Sequence, residues 1–315
     1  MVECVQVYFL LKKSLPQSML VSILSIVYNH EPYLNEFFQG VLSQEHSYQW
    51  EIVIGIDLSS DSSLEICKNY RDQYPHLIRL VIHENRVGMI SNFIAAYNAC
   101  SGKYIAMCEG DDYWIDNKKI LKQVQSLEKD QKAVISFTDI KVLDEDEKTY
   151  HSNWTNITKE QHYLKDIIKA NPITTCSVMF RNHCISISGN SFRDLQMADW
   201  PLYIELLTHG YAKYLNNTTA VYRRSMESSF SKNTVLEKLQ KKLKALEYLL
   251  AHPPMAPHKY LLQTEWVNHA YAIAIRLPKQ DARRNYYLDT VLKNKFLNYI
   301  PLSLKAFFYR YLKRH

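Results

Sequence analysis

Four short apolar runs, at residues 21–27, 51–57, 77–83 and 103–108, alternate with three segments of helical character at 33–43, 62–74 and 89–100. The runs are rich in β-branched residues, so they read as central strands buried on both faces. Within 89–100, Ile90, Phe93, Ile94 and Tyr97 recur at i, i+3, i+4 and i+7, the spacing of one helical face. Strict alternation of this kind predicts an α/β fold, a mostly parallel sheet flanked by helices, in which ligands bind at the carboxyl ends of the strands. Beyond it, 120–127 reads as a helix, 133–138 as a strand, 144–148 as a charged loop, 173–181 as a strand and 201–209 as a helix.

After Tyr222 the texture changes. Thr234 and Glu237 have the spacing of a capping box, and Leu236, Leu239, Leu243, Leu246 and Leu250 line one helical face. A proline-rich break at 252–258 follows, and helical character resumes to the end. The expected organisation is a dispensable extension at 1–18, an α/β domain at 19–231 and a basic helical appendage at 232–315. Charge follows the same division. The chain has 38 Lys and Arg against 32 Asp and Glu, but residues 232–315 hold 16 against 5, leaving 22 against 27 for the rest. The two parts meet different surroundings.

Glycine is scarce, 7 in 315 residues, and no two glycines stand two apart, so neither a dinucleotide-binding GxGxxG nor a Walker loop is present and phosphates must be held otherwise. The six cysteines show no CxxC and are expected to be reduced and buried. Residues 1–20 hold only the apolar stretch 7–11, with Lys12 and Lys13 behind it, the wrong polarity for a signal peptide. No run approaches the ~18 apolar residues of a spanning helix. The expected location is cytoplasmic, and the Asn-x-Thr triplets at Asn153, Asn156, Asn216 and Asn217 are expected to be chance polar loops.

The strongest chemical signal is Glu109-Gly110-Asp111-Asp112-Tyr113-Trp114, directly after the run 103–108. Three carboxylates at one strand end repel and raise one another's pKa unless a cation intervenes, and a hard divalent metal is the usual compensation. Such a metal would also bridge a diphosphate, in place of the missing glycine loop. A solvated acidic turn with Trp114 as a core anchor is the alternative. Asp57 ends the run 51–57, and in a parallel sheet it shares the edge of the acidic segment. Asp61 or Ser62 is placed to cap the next helix, whereas Asp57 lies too early to do so.

Taken in order, Val21-Ser22-Ile23 through Tyr28-Asn29-His30-Glu31, Glu51-Ile52-Val53-Ile54 leading to Asp57, Glu84-Asn85-Arg86-Val87-Gly88, Ser101-Gly102-Lys103-Tyr104 and the acidic segment resemble a family 2 glycosyltransferase of the GT-A fold, over roughly residues 20–222. The resemblance implies a nucleotide-sugar donor, a divalent metal ion (Mn or Mg) and inverting transfer to the hydroxyl of a saccharide or lipid-linked saccharide acceptor, with surface polysaccharide biosynthesis as the setting. It implies that Tyr28 packs near the donor base and that Asp57, the second aspartate of the family's Asp-Asp pair, reads the base edge, with Ile56 where the first aspartate is usual. Asp111 would hold the ribose and approach the metal, Asp112 would ligate it, and Glu109 fills the outer acidic position. Asp199, in Met197-Ala198-Asp199-Trp200-Pro201-Leu202, matches the catalytic base. It is equally a candidate helix cap, because Pro201 lies in a first turn. Ser225 stands where many members carry a histidine near the metal.

Two rivals remain at this stage. A sugar nucleotidyltransferase would share the architecture but opens with a glycine-rich phosphate loop, and 21–32 contains no glycine. A basic module binding nucleic acid through its tail leaves the carboxylates unexplained. Nucleic acid is therefore not an expected partner. An anionic membrane surface is, because Leu304, Phe307, Phe308 and Tyr311 share one helical face while Lys305, Arg310, Lys313 and Arg314 lie mostly off it, the form of an interfacial helix.

Overall fold

The computed structural model describes residues 20–151, 157–182, 190–224 and 233–293. The extension expected to be dispensable, Cys4, Asn153, Asn156, Cys184, Ser225 and the interfacial helix expected around Phe307 all lie outside them. The predicted alternation is realised as β1 (Val21–Val27), α1 (Leu34–Leu42), β2 (Trp50–Ile56), α2 (Ser63–Gln73), β3 (Ile78–Ile82), α3 (Met89–Ala99) and β4 (Tyr104–Met107). These strands are parallel in the order β3-β2-β1-β4, with Ile23 opposite Ile52 on one side and Ala106 on the other. Ile23, Ile52, Ile54, Phe37 and Phe38 are fully buried, as continuous apolar strands under a helical layer require. Truncating either phenylalanine to Ala costs about 3–5 kcal/mol on the usual scale of core truncations.

Past β4 the pattern departs from the expectation. The chain runs through β5 (Tyr113–Trp114), α4 (Lys119–Lys129), β6 (Ala133–Asp144), β7 (Thr149–His151), β8 (Gln161–His162), α5 (Leu164–Ile167), β9 (Met179–Arg181), α6 (Asn190–Arg193), α7 (Asp199–Leu206) and β10 (Tyr211–Arg224). β9 inserts antiparallel between β4 and β6, so the sheet continues β4-β9-β6-β10-β5. The strand predicted at 133–138 extends to Asp144, and the charged residues after it form the turn of the β6–β7 hairpin. Of the run 173–181 only the last three residues are strand, preceded by a 3-10 turn at Thr175–Ser177. Strand β10 was not foreseen. Asn216 and Asn217 stand exposed on it, not in a loop, and these polar residues interrupt the apolar signal.

By its internal contacts the chain forms two units. The first comprises Met1–Gln161, Ile173–Ser186 and Tyr211–Arg223, and the second His162–Pro172, Ile187–Gly210 and Arg224–His315. The second is helical, built from α5, α7, α8 (Val235–Ala251), α9 (Lys259–Ala274) and α10 (Ala282–Lys293). Its capping box is formed: Thr234 Oγ1 accepts the Glu237 N–H at 3.2 Å, and Glu237 Oε2 accepts the Thr234 N–H at 2.7 Å. Leu243, Val267, Ala270, Ile273 and Val291 make its core. Trp200 ties α7 to α5, its indole N–H donating to the Ile167 carbonyl at 2.9 Å. Among the described residues, no helix is long and apolar enough to cross a membrane.

Candidate active site

The loops after β1 and β2 meet at the carboxyl edge of the sheet and are laced together. Asn29, at φ 54°, accepts the Ser60 N–H on Oδ1 at 2.9 Å. The His30 N–H donates to Ser63 Oγ at 2.8 Å, and the Glu31 N–H to Asp61 Oδ2 at 3.0 Å. Asp61 Oδ1 also accepts the Ser63 N–H at 3.0 Å, while Ser62 occupies the cap position of α2 without a side-chain cap bond. Hydrogen bonds to the charged form hold the Asp61 carboxyl below the usual carboxylate range, against a burial that acts the other way.

Asp57 is buried, and its carboxylate ties a third loop to this edge. Oδ1 accepts the N–H groups of Leu58 at 3.0 Å and Val87 at 2.8 Å, and Oδ2 accepts that of Gly88 at 2.8 Å. A carboxylate has about four acceptor positions, so one remains on Oδ2. The loop held in this way carries Arg86, whose guanidinium lies over the Tyr28 ring, 4.4 Å from its centroid. The sequence reading gave Arg86 no role. A cation four residues past the end of β3 carries no signal of its own, and it is the loop closed by Asp57 that carries it to the tyrosine.

Glu109, Asp111 and Asp112 converge as predicted, with ligand oxygens within 4.8 Å of one another. Gly110 lets the chain pass close beneath: a Cβ there would stand 2.8 Å from Val27 Cγ2 and 2.9 Å from His30 Nδ1. His30 Nε2 in turn lies 3.9 Å from Asp111 Oδ2. Asp112 is 1% exposed. Burial, with the charges of Asp111 and Glu109 beside it, pushes its carboxyl well above the usual range, while the Arg223 N–H and the Cys176 thiol act in the opposite direction. Asp112 Oδ2 and Asp111 Oδ1 are buried and have no hydrogen-bond partner among the described residues. Two orphaned carboxylate oxygens in a cluster of three acids could serve as donors to a hard divalent cation. A solvated acidic turn leaves neither oxygen dry. Trp114 fills the anchoring role as well, its indole N–H donating to the Cys176 carbonyl at 2.9 Å.

Asp199 belongs to the helical unit and is half-buried as the first residue of α7, with Ala198 at the cap position and no side-chain cap bond. Its carboxyl is raised above the usual range by burial, opposed by the N–H groups of Trp200 and of Asp199 itself and by the Lys242 ammonium. Lys242 Nζ lies 5.6 Å from the Trp200 ring centroid.

Residues 22–187, more than half of the chain, match the Glycosyl transferase family 2 profile, and the chain belongs to that family. A protein of Mycobacterium tuberculosis (strain ATCC 25618 / H37Rv) is 32% identical over 209 residues, which are 65% of this chain and 58% of that relative. The chain thus spans under two thirds of that relative's length. TuaG of Bacillus subtilis (strain 168), named for teichuronic acid biosynthesis, is 26% identical over 219 residues, 68% of this chain and 82% of TuaG. Among solved structures, S. aureus TarS 1-349 in complex with UDP-GlcNAc superposes with a TM-score of 0.64 at 15% identity, covering 94% of this chain and 88% of that one. The mannosyltransferase PcManGT of Pyrobaculum calidifontis, in complex with GDP-Man and Mn2+, gives a TM-score of 0.55 at 15% identity, covering 99% and 91%. These two likenesses are of fold.

Proposed function

We propose that this glycosyltransferase inverts the anomeric centre of a nucleotide sugar bound over the acidic edge, transferring it to a hydroxyl of a saccharide or lipid-linked saccharide in surface polysaccharide biosynthesis. The observation that carries this reading is the pair of buried, unpartnered oxygens, Asp112 Oδ2 and Asp111 Oδ1, at a sheet edge. The names of TuaG and of the TarS and PcManGT complexes support the donor class and the setting.

Asp111 and Asp112 would hold the divalent ion, which when bound supplies charge stabilisation for the departing diphosphate. Tyr28 lines the base, and Asp57 keeps one acceptor position for a base N–H while fixing the loop of Arg86. Asp111 also faces the ribose. Asp199 takes the proton of the acceptor hydroxyl as that oxygen attacks the anomeric carbon and the bond from this carbon to the diphosphate oxygen breaks. This role rests on the sequence match and on a carboxyl whose surroundings raise its proton affinity. The basic C-terminal region docks on the cytoplasmic face of an anionic membrane, each basic residue near the surface contributing about 1 kcal/mol. Removing residues 301–315 then weakens binding to anionic vesicles, and equal partitioning of both forms ends that part of the reading.

Thermal unfolding against a panel of nucleotide sugars with Mn2+ or Mg2+ tests the core of the proposal. One donor at 100 times its Kd stabilises by about 2.7 kcal/mol. Asp112→Ala abolishes turnover. A flat panel overturns the donor assignment.

A further inference from the structure

Arg223 is 7% exposed, near the end of β10, and its main chain and side chain do different things. Its peptide N–H donates to Asp112 Oδ1 at 2.8 Å. Its guanidinium binds Glu36 on α1 through Nη2 and Glu145 in the β6–β7 turn through Nη1. The ring centroids of Tyr33 and Tyr113 lie 5.0 and 4.9 Å from the guanidinium carbon. The Tyr113 hydroxyl is in turn 3.1 Å from that of Tyr150 on β7. Lys148, at φ 53°, returns to Glu145 at 2.5 Å. One side chain therefore ties together α1, β5 and the hairpin, while the pairing of β10 with β5 ends at Val221, two residues earlier.

We propose that Arg223 is a positioning residue for Asp112: the anchored side chain fixes the place of its own peptide N–H, and that N–H holds Oδ1, leaving Oδ2 as the oxygen that would be offered to a metal ion. The inference rests on the reading of Asp112 as a metal ligand. A charge-assisted bond to one carboxylate oxygen restricts rotation about the last side-chain bond of an aspartate, and groups that orient a ligand in this way are worth about 10–100-fold in metal affinity. The donor is a peptide group, which no substitution other than proline removes, so its position is the only variable. Two carboxylates lie on the guanidinium edge and two rings near its carbon. Only a planar, forked cation meets all four, and the point charge of a lysine reaches one carboxylate at a time.

Direct measurement of Mn2+ affinity by electron paramagnetic resonance, without turnover, tests this. Arg223→Lys keeps the charge and loses the fork, and it raises the Mn2+ Kd by about tenfold or more. Glu145→Gln keeps the arginine but replaces one charged acceptor with a neutral, weaker one, and it shifts the Kd in the same direction by a smaller factor. Thermal unfolding of each variant shows that it is folded. Where Arg223→Lys does not fold, Glu145→Gln alone decides, and an unchanged Kd there overturns the proposal. Wild-type affinity in Arg223→Lys, with binding abolished in Asp112→Asn, overturns the positioning role and leaves the metal site standing. Failure of the wild type to bind Mn2+, or equal binding by Asp112→Asn, removes the metal reading and this proposal with it.

Discussion

Asp57 Oδ2 accepts the main-chain N–H of Gly88 at 2.8 Å, and so fastens the loop that follows β3 to the end of β2. Asn at this position presents one oxygen and one amide NH2, and Val87 and Gly88 both approach as donors, one to each oxygen. One contact therefore becomes donor against donor. Asp57→Asn is expected to cost about 1–3 kcal/mol of stability, the scale of a buried group left unsatisfied. It should also raise the donor KM more than it lowers kcat, because the loop carries Arg86 to Tyr28. Denaturant unfolding and steady-state kinetics check both parts. Unchanged stability and KM would mean that the loop is held by other contacts.

The parallel half of the fold was legible because β1, β2 and β4 are buried on both faces, which writes uninterrupted apolar runs into the sequence. β3 is the edge strand, not a central one, with Arg79 and Ile82 exposed, and it followed from the alternation. Glu109, Asp111 and Asp112 were legible for a related reason: adjacent carboxylates at a strand end are conspicuous without any knowledge of packing. Arg223 was not. It reads as one of two basic residues in a polar stretch, and its partners Glu36 and Glu145 lie 187 and 78 residues away along the chain. Strand β10 escaped because Asn216, Asn217 and Thr218 break its apolar pattern where it is exposed, while β9 was read too long because Ile173, Cys176 and Val178 ahead of it are buried without being strand. Local pattern records burial. Contacts between distant segments leave no such record.

Asp199 supplies a prediction about pH. Burial raises its carboxyl above the usual range and the Lys242 ammonium pulls it down. A base must be ionised to accept a proton, so kcat is expected to fall as pH drops through this raised value. Lys242→Met removes the opposing cation and moves that acidic limb to higher pH. Asp199→Asn retains donor binding, measured by thermal shift, and loses transfer. An acidic limb in the same place for Lys242→Met and wild type would contradict the electrostatic link, and near-normal transfer by Asp199→Asn would remove the base assignment.

Gly40 on α1 abuts the backbone of Trp114. A Cβ at this position would stand 2.6 Å from the Trp114 carbonyl oxygen and 2.7 Å from its nitrogen, and neither atom can swing aside as a flexible side chain can. Gly40→Ala therefore displaces α1 or β5, at the ~1–3 kcal/mol typical of overpacking. Trp114 stands two residues after Asp112, so weaker Mn2+ binding is expected to accompany the lower melting temperature. A variant that melts lower with unaltered Mn2+ affinity would confine the strain to the helix.

Lys119 is fully buried, its Nζ 4.7 Å from the Trp114 ring centroid and within 3.2 Å of the Ser177 carbonyl oxygen, with Gln123 as a further partner. Burial lowers its pKa to about 8, whereas the unfolded chain titrates near ~10.4. Below about pH 8 the folded protein carries the full cost of this buried cation. Between the two values the unfolded state holds a proton that the native state has given up, so stability rises with pH, by up to about 1.4 kcal/mol per pH unit from this group. Lys119→Met lacks the titration, and subtracting its pH profile from that of the wild type removes the tyrosines and cysteines that titrate in the same range. Urea unfolding between about pH 7 and pH 10 is expected to show the wild type gaining on the variant over the upper part of that window. A constant difference would mean that hydrogen bonds and the indole face hold the ammonium charged throughout, with a native pKa no lower than that of the unfolded chain.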